Sequence, residues 1–242
     1  MKKITITGSE GLLGKEISKF LGKKNKIYRL DLQLGHDLND EKFVRNWFKK
    51  NHSDYLINCF AINDHVSKNK RKNNLFNFPL ETFDEYLKTN VTTLFSVCRE
   101  FARNNKKSGI INFSSTYGLI SPRPDMYEGS HKDIGYGVSK SAVINLSKYL
   151  AIHLAPHIQV NCIIPGGVEH KQNKKFISAY SKHTPLKRMM KKNELNHLIQ
   201  FLCSKNSSYS TGSTFVIDGG YTSWIKNYNF FKILTNCSDA VP

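Results

Sequence analysis

Disulfide chemistry has little to work with in this chain. Only five cysteines occur among 242 residues, and Cys59, Cys98, Cys162, Cys203 and Cys237 lie far apart without CxxC spacing. A small disulfide framework is therefore excluded, and reduced thiols in a cytoplasmic protein are the expectation. The nine histidines do not join these cysteines in any metal-ligand spacing, so no metal centre is expected. No apolar stretch reaches the roughly 20 residues that span a bilayer. Gly8, Ser9 and Glu10 end the short run after Ile4 before it could form a signal-peptide core. With 15 glycines and 7 prolines the chain is not collagen-like, and 39% hydrophobic residues are too many for a wholly disordered one. That content supplies one substantial core rather than two large domains.

Acidic residues are also scarce. Nineteen Asp and Glu against 36 Lys and Arg leave a net charge of +17 and a pI near 9.6, so nucleic acid or an anionic surface is the first partner to weigh. The excess is dispersed, however, in pairs such as Lys23-Lys24, Lys49-Lys50, Lys106-Lys107 and Lys191-Lys192 beside Asn and Ser. A solvated, lysine-biased surface is the plainer reading, with attraction of an anionic substrate next. Neither specific nucleic-acid binding nor membrane binding is expected.

Six short β-type segments alternate with helical ones. Strands are expected from Ile4, at Lys26 to Asp31, Tyr55 to Asn58, Ile110 to Ser114, Gln159 to Ile164 and Thr214 to Ile217. Glu41 to Lys50, Thr82 to Arg103 and Tyr136 to Leu154 carry apolar residues at helical spacing, the last with Val138, Ala142, Val143, Leu146, Leu150 and Leu154 in one band. Such alternation predicts a single Rossmann-like α/β domain over residues 1–224, a doubly wound and mostly parallel sheet flanked by helices. The Asn- and Lys-rich stretch Asn63 to Asn77 reads as an exposed loop, with a partly helical segment as the alternative.

Thr7-Gly8-Ser9-Glu10-Gly11-Leu12-Leu13-Gly14 falls between the first strand and first helix. Gly8 permits a tight turn, Gly11 lets a pyrophosphate approach backbone N–H groups, and Gly14 allows close helix–strand packing. Alone, the spacing also fits an ordinary glycine-rich turn, but its position favours the nucleotide. Asp31 ends the second strand, where a carboxylate accepts from adenosine ribose hydroxyls and repels a 2′-phosphate. With Glu10 nearby, NAD is preferred to NADP. A solvent-facing turn residue is the alternative for Asp31.

Ser115 lies just beyond the Ile110 to Ser114 strand, and Tyr136 and Lys140 stand four apart at the start of the long helix. Strand ends and helix starts share one rim of a parallel sheet, and i,i+4 spacing puts Tyr136 and Lys140 on one helix face. Lys140 can then favour the phenolate of Tyr136 and bind a ribose hydroxyl. A Ser-His hydrolase is the competing scheme, but His131 and His153 come without a GxSxG nucleophile elbow.

With these residues in this order, Lys3 to Trp224 resembles the short-chain dehydrogenase/reductase family. The family's catalytic positions are matched by Asn90 in Thr89-Asn90-Val91, Ser115, Tyr136 and Lys140, and Pro165-Gly166 and Asp218-Gly219-Gly220 resemble further landmarks. The resemblance implies cofactor contacts from Gly8, Gly11, Leu12, Leu13, Gly14 and Asp31 at the adenosine and phosphate end. Asp37 and Leu38 resemble the adenine turn. Asn58, Phe60, Ala61, Tyr136, Lys140, Pro165, Gly166 and Val168 would serve the nicotinamide side. It implies NADH as reductant, hydride transfer to a carbonyl, Tyr136 as proton donor and Ser115 as oxyanion donor. Asn90 would open its helix locally and hold a relay water.

Several features depart from the usual family sequence. The glycine spacing is that of the extended branch, Asn58-Cys59-Phe60-Ala61 replaces Asn-Asn-Ala-Gly, and too little chain separates Asp31 from Asp37 for the customary helix. The first half thus resembles sugar-nucleotide reductases. The second, through Gly167-Val168 and Pro185 to Met189, resembles bacterial members of surface-carbohydrate and flagellin-glycan pathways. A carbohydrate-like substrate, phosphorylated or nucleotide-linked versions included, is implied, with epimerisation, dehydration and 3-oxoacyl thioester reduction as alternatives. The segment Ile120 to Asp133 either shapes specificity or is a surface insertion. Residues 169–190 are expected to form a substrate lid, in which Phe176 and Tyr180 either cover the substrate or make a structural contact. Leu87 to Phe101 and Val138 to Leu154 look like the paired helices of a homodimer or homotetramer, and the tail 225–242 is expected to dock on a neighbour or on the lid.

Overall fold

A computed structural model of the protein describes residues 1–63, 75–127 and 132–224. The tail 225–242, His131 and most of the Asn63 to Asn77 stretch therefore lie outside the described residues. The strands are β1 (Lys3–Thr7), β2 (Lys26–Leu30), β3 (Tyr55–Asn58), β4 (Ser108–Phe113), β5 (Ile158–Pro165) and β6 (Thr214–Ile217). The helices are α1 (Leu12–Leu21), α2 (Glu41–Lys50), α3 (Leu80–Leu87), α4 (Leu94–Asn104), α5 (Ile134–Leu154), α6 (Lys174–Lys182) and α7 (Asn196–Leu202).

The strands form one sheet in the order β2-β1-β3-β4-β5-β6, and every pairing in it is parallel. Alternate residues face opposite ways, as the two-residue period of a strand requires. Leu56, Ile110, Val160, Cys162 and Ile164 pack with α2, α4 and α5 on one face. Ile57, Ile111 and Ile163 join Ile4, Ile6, α1 and α7 on the other. Both faces are thus dry, which is why these strands read as apolar runs. Phe48 of α2 and Phe101 of α4 are fully buried and meet edge to face at 5.8 Å. Burial of each such ring contributes about 1.5–3 kcal/mol.

The α2 start is capped by Asp40, whose carboxylate accepts from Lys42 N at 2.9 Å and Phe43 N at 3.2 Å. Between β2 and α2 there is only a one-turn 3-10 segment, Leu32–Leu34, in place of the customary helix. The expected helix over Thr82 to Arg103 is divided: a π-helical turn, Lys88–Thr93, separates α3 from α4. Order 2-1-3 reverses direction at β1, so the crevice beyond the carboxyl ends of β1 and β3 is the topological switch point where open α/β sheets hold ligands.

Candidate active site

Polar residues line up at that edge. The register sets Thr7 beside Asn58 and Asn58 beside Asn112, and their side chains bond in the same order. Thr7 Oγ1 donates to Asn58 Oδ1 at 2.8 Å, Asn58 Nδ2 to Asn112 Oδ1 at 2.8 Å, and Asn112 Nδ2 to Ser147 Oγ at 3.0 Å. A buried polar chain therefore ties β1, β3 and β4 to α5 beneath the crevice, and each member satisfies the next. The Asn58 amide is committed to this chain. Asn112 and Ser147 had no motif to mark them; their signal was a polar residue inside an apolar strand and inside the buried face of a helix.

The glycine turn is built for close approach. Gly8 has φ +67°, and a Cβ there would stand 2.4 Å from Phe60 N; at Gly14 it would stand 2.0 Å from Gly8 O. Both positions exclude a side chain, whereas Gly11 is less crowded, with its nearest atom, Gly8 O, at 3.3 Å. Leu12 and Leu13 are half-buried at the start of α1. Asp31 is buried, its carboxylate accepting from Glu10 N and Gln33 N, both at 2.9 Å. These bonds hold the carboxylate at the end of β2 and leave further lone pairs for a diol. Arg29, two residues before it, is ion-paired to Glu10, as is Lys15. Of the expected adenine turn, Asp37 is exposed and Leu38 is buried among Leu30 and Val44 in the core. Phe60 packs partly on that core, and Ala61 is exposed.

Ser115, Tyr136 and Lys140 come together across β4 and α5. Ser115 follows β4 and starts a 3-10 turn, its Oγ accepting from Tyr117 N at 3.2 Å. Tyr136 is buried in the first turn of α5; burial pushes its phenol above the usual value, and the neighbouring Ser115 hydroxyl pulls it back. Lys140 is buried one turn on, with Nζ donating to Phe113 O at 3.0 Å and lying 5.8 Å from the Tyr136 ring centre. Burial lowers its pKa to about 8, against the opposing pull of the Cys162 and Cys59 thiols.

Asn90 sits in the π-helical turn and reaches two other elements. Its Oδ1 accepts from Ile62 N at 2.8 Å, and its Nδ2 donates to Ile62 O at 3.1 Å and to Ser139 Oγ at 3.0 Å. Ser139 in turn donates to Tyr136 O at 2.8 Å. Asn90 thereby links the segment after β3 to the turn of α5 that carries the phenol. A π-turn also displaces carbonyls from their i+4 partners, leaving acceptors for other donors.

Half-buried Pro165 ends β5 opposite Ile217, buried Gly166 lies against Asp218, and half-buried Val168 bridges to Met190. Residues 169–190 contain α6. Tyr180 makes a structural contact: its ring stacks on Tyr221 at 4.7 Å and its hydroxyl accepts from Gly167 N at 2.6 Å. Phe176 packs against Tyr127 at 5.9 Å. The described part of Ile120 to Asp133 is thus no detached surface insertion, since Met126 and Tyr127 are buried with Tyr180, Met189 and Tyr221. Tyr117 and Tyr127 share a 2.5 Å hydrogen bond at the inner end of this cluster.

No group of His, Cys, Asp and Glu among the described residues could hold a metal ion, and no described helix is long and apolar enough to cross a membrane. A family profile described as enoyl-(acyl carrier protein) reductase matches residues 15–222. The 3-oxoacyl-[acyl-carrier-protein] reductase FabG of Buchnera aphidicola subsp. Acyrthosiphon pisum is 30% identical over 224 residues, covering 89% of this chain and 84% of that protein. Glucose 1-dehydrogenase of Gluconobacter oxydans is 36% identical over 154 residues, but the match spans only 59% of this chain and 55% of that protein. A short chain dehydrogenase from Leptospira borgpetersenii, solved with bound NAD+, superposes with a TM-score of 0.80 at 29% identity, over 91% of this chain and 92% of that one. A parallel sheet with this edge, matched over nearly its whole length by one profile and by an NAD+-bound relative, makes the chain a member of the short-chain dehydrogenase/reductase family, an oxidoreductase family.

Proposed function

We propose that this protein is an NAD(H)-dependent oxidoreductase that interconverts an alcohol and a ketone on a carbohydrate-like substrate, with Tyr136 as the acid/base. The observation that carries this reading is the buried Tyr136 phenol beside Ser115, with the Lys140 Nζ 5.8 Å from its ring centre at the carboxyl edge of the sheet. A dinucleotide suits the chain's own residues: Gly8 and Gly14 admit no side chain, and Asp31 is held ready to accept from a ribose diol. The Asp31 carboxylate disfavours a 2′-phosphate, and the Arg29 charge that could offset it is already paired with Glu10. NAD is therefore preferred to NADP.

A bound nicotinamide would supply or accept the hydride. Ser115 Oγ and the Tyr136 hydroxyl would orient the carbonyl oxygen, and Tyr136 would donate its proton as that oxygen gains charge. In the other direction the ionised phenol would take the alcohol proton. Lys140, whose Nζ is fixed by Phe113 O, would favour that anion and offer a donor to ribose hydroxyls. Asn90 would hold the α5 turn and the segment after β3, and the π-turn around it would leave an acceptor for a relay water. Gly11, Leu12, Leu13, Asp37, Leu38, Asn58, Phe60, Ala61, Pro165, Gly166 and Val168 complete the cofactor set in this reading. Residues 169–190 would form the lid, already packed on the Tyr127 and Tyr221 cluster.

Glucose 1-dehydrogenase among the relatives supports a sugar or polyol, and the dispersed positive charge suits a phosphorylated or nucleotide-linked one. A place in surface-carbohydrate or flagellin-glycan synthesis rests on the sequence resemblance alone. The second reading, a 3-oxoacyl thioester reductase, is favoured by the longer match to FabG. A homodimer or homotetramer in the cytoplasm is part of the proposal, since Phe95, Val138, Tyr149 and Ile152 leave apolar surface exposed on α4 and α5. Purified protein assayed with NADH and NADPH against sugar, polyol and 3-oxoacyl thioester panels tests this. Stoichiometric NADH consumption with a ketose-type substrate is expected, and Tyr136→Phe should lower turnover by about 10²-fold or more. Turnover without net NADH consumption would replace the reductase by an epimerase, and unchanged turnover in Tyr136→Phe would remove the phenol from the chemistry.

A further inference from the structure

Tyr136 has a second ammonium beside it that the family motif does not contain. Lys132, just before α5, is 8% exposed, and its Nζ lies 4.6 Å from the centre of the Tyr136 ring, closer than the 5.8 Å of Lys140. The position is anchored. Lys132 Nζ donates to Asn63 Oδ1 at 2.6 Å, and Asn63 follows Ile62, whose backbone is gripped on both sides by the Asn90 amide. The next residue, Asp133, accepts from Tyr86 OH at 3.0 Å, and the Tyr86 ring stands edge-on to Tyr136 at 6.4 Å. Gly135 permits this approach, because a Cβ there would meet Tyr86 Cδ2 at 2.7 Å.

We infer that Lys132 is a positioning residue for the proton-transfer step: its ammonium fixes the Tyr136 ring from the face and favours the ionised phenol. The inference rests on the proposed acid/base role of Tyr136. A cation over a tyrosine face is attracted to the ring, and more strongly once the ring carries negative charge. Burial works against ionising this phenol, so a charge that opposes burial matters here. Lys140 is farther away and has its Nζ turned to the Phe113 carbonyl. Among the described residues, the other titratable groups near the ring are Tyr86 from α3, Asp133 behind the Tyr86 hydroxyl, and Tyr127, whose phenol feels Tyr136. All three are neutral or anionic, so Lys132 and Lys140 are the cations of this set.

The test is the ionisation of Tyr136 in the full chain without cofactor, read by NMR of protein carrying 13Cζ-labelled tyrosine and assigned with Tyr136→Phe. Lys132→Met should raise the Tyr136 transition by about one unit, in line with the effect of an opposite charge at this range, and Lys132→Arg should restore it. If Lys132→Met does not fold, Lys132→Gln, which keeps a donor for Asn63, carries the comparison. The pH profile of kcat for alcohol oxidation should move by the same amount while KM for NAD stays unchanged. A transition at the same pH in the neutral variant and the parent would overturn the inference. A shifted phenol with an unmoved activity profile would leave the action of Lys132 standing and remove Tyr136 as the acid/base.

Discussion

Lys140 is an ammonium kept in a place that disfavours charge. Burial holds its pKa near 8, below the ordinary lysine value of 10.5. In that interval the unfolded chain binds more protons than the folded one, so stability rises with pH between the two values; below about 8 both states are charged and the full penalty applies. Lys140→Met should therefore be more stable than the parent at pH 7, with the difference shrinking towards pH 10.5, while turnover falls. Urea denaturation of cofactor-free protein at pH 7 and 10 measures this. An equal difference at both pH values would contradict the burial of a charged lysine. The pairing of Tyr136 with Lys140 was legible because a single helix fixes what i and i+4 share. Lys132 was not, since it precedes the helix and is held over the phenol by Asn63, from the segment after β3.

Single elements are shaped by where backbone meets backbone. Gly8 and Gly35 both have positive φ, at +67° and +80°, but only Gly8 is crowded, by Phe60 N at 2.4 Å, whereas nothing lies within 4 Å of a Cβ at Gly35. Gly35→Ala should thus lose about 1–2 kcal/mol from left-handed backbone strain alone. Gly8→Ala should lose clearly more and also weaken NAD binding. Urea midpoints together with NAD titration check both, and equal losses would mean that the close approach to Phe60 carries no weight. The strand-turn-helix around Gly8 was readable from residue order. The π-turn at Lys88–Thr93 was not, because apolar spacing runs on across it; the β-branched run Val91-Thr92-Thr93 was the available sign of a weakened helix.

For the molecule as a whole, α4 and α5 keep one face in the core and show another. Val143 and Leu150 are buried, while Tyr149 and Ile152 of the same helix are 60% and 78% exposed. Isolated exposed apolar residues need no explanation, but several on two adjacent helices fit a face between copies of the chain. Ile152→Glu should leave stability within about 0.5 kcal/mol and lower the mass found by sedimentation equilibrium. A parent protein that is already monomeric at assay concentration would reject the assembly. The positive charge belongs to this scale too: it is spread along the surface, while the site's own cations, Lys132 and Lys140, are buried.

The order of strands and helices, the glycine turn and the Tyr136–Lys140 pair were determined by the sequence alone, because each depends on local spacing within one element or one turn. Tertiary structure decided the rest. The Thr7-Asn58-Asn112-Ser147 chain, the grip of Asn90 on Ile62 and Ser139, the packing of Tyr127 and Tyr180 on Tyr221, and the placement of Lys132 over Tyr136 all join residues distant in the chain. Their contacts follow from sheet register and helix docking, which set distances that no spacing along a sequence contains.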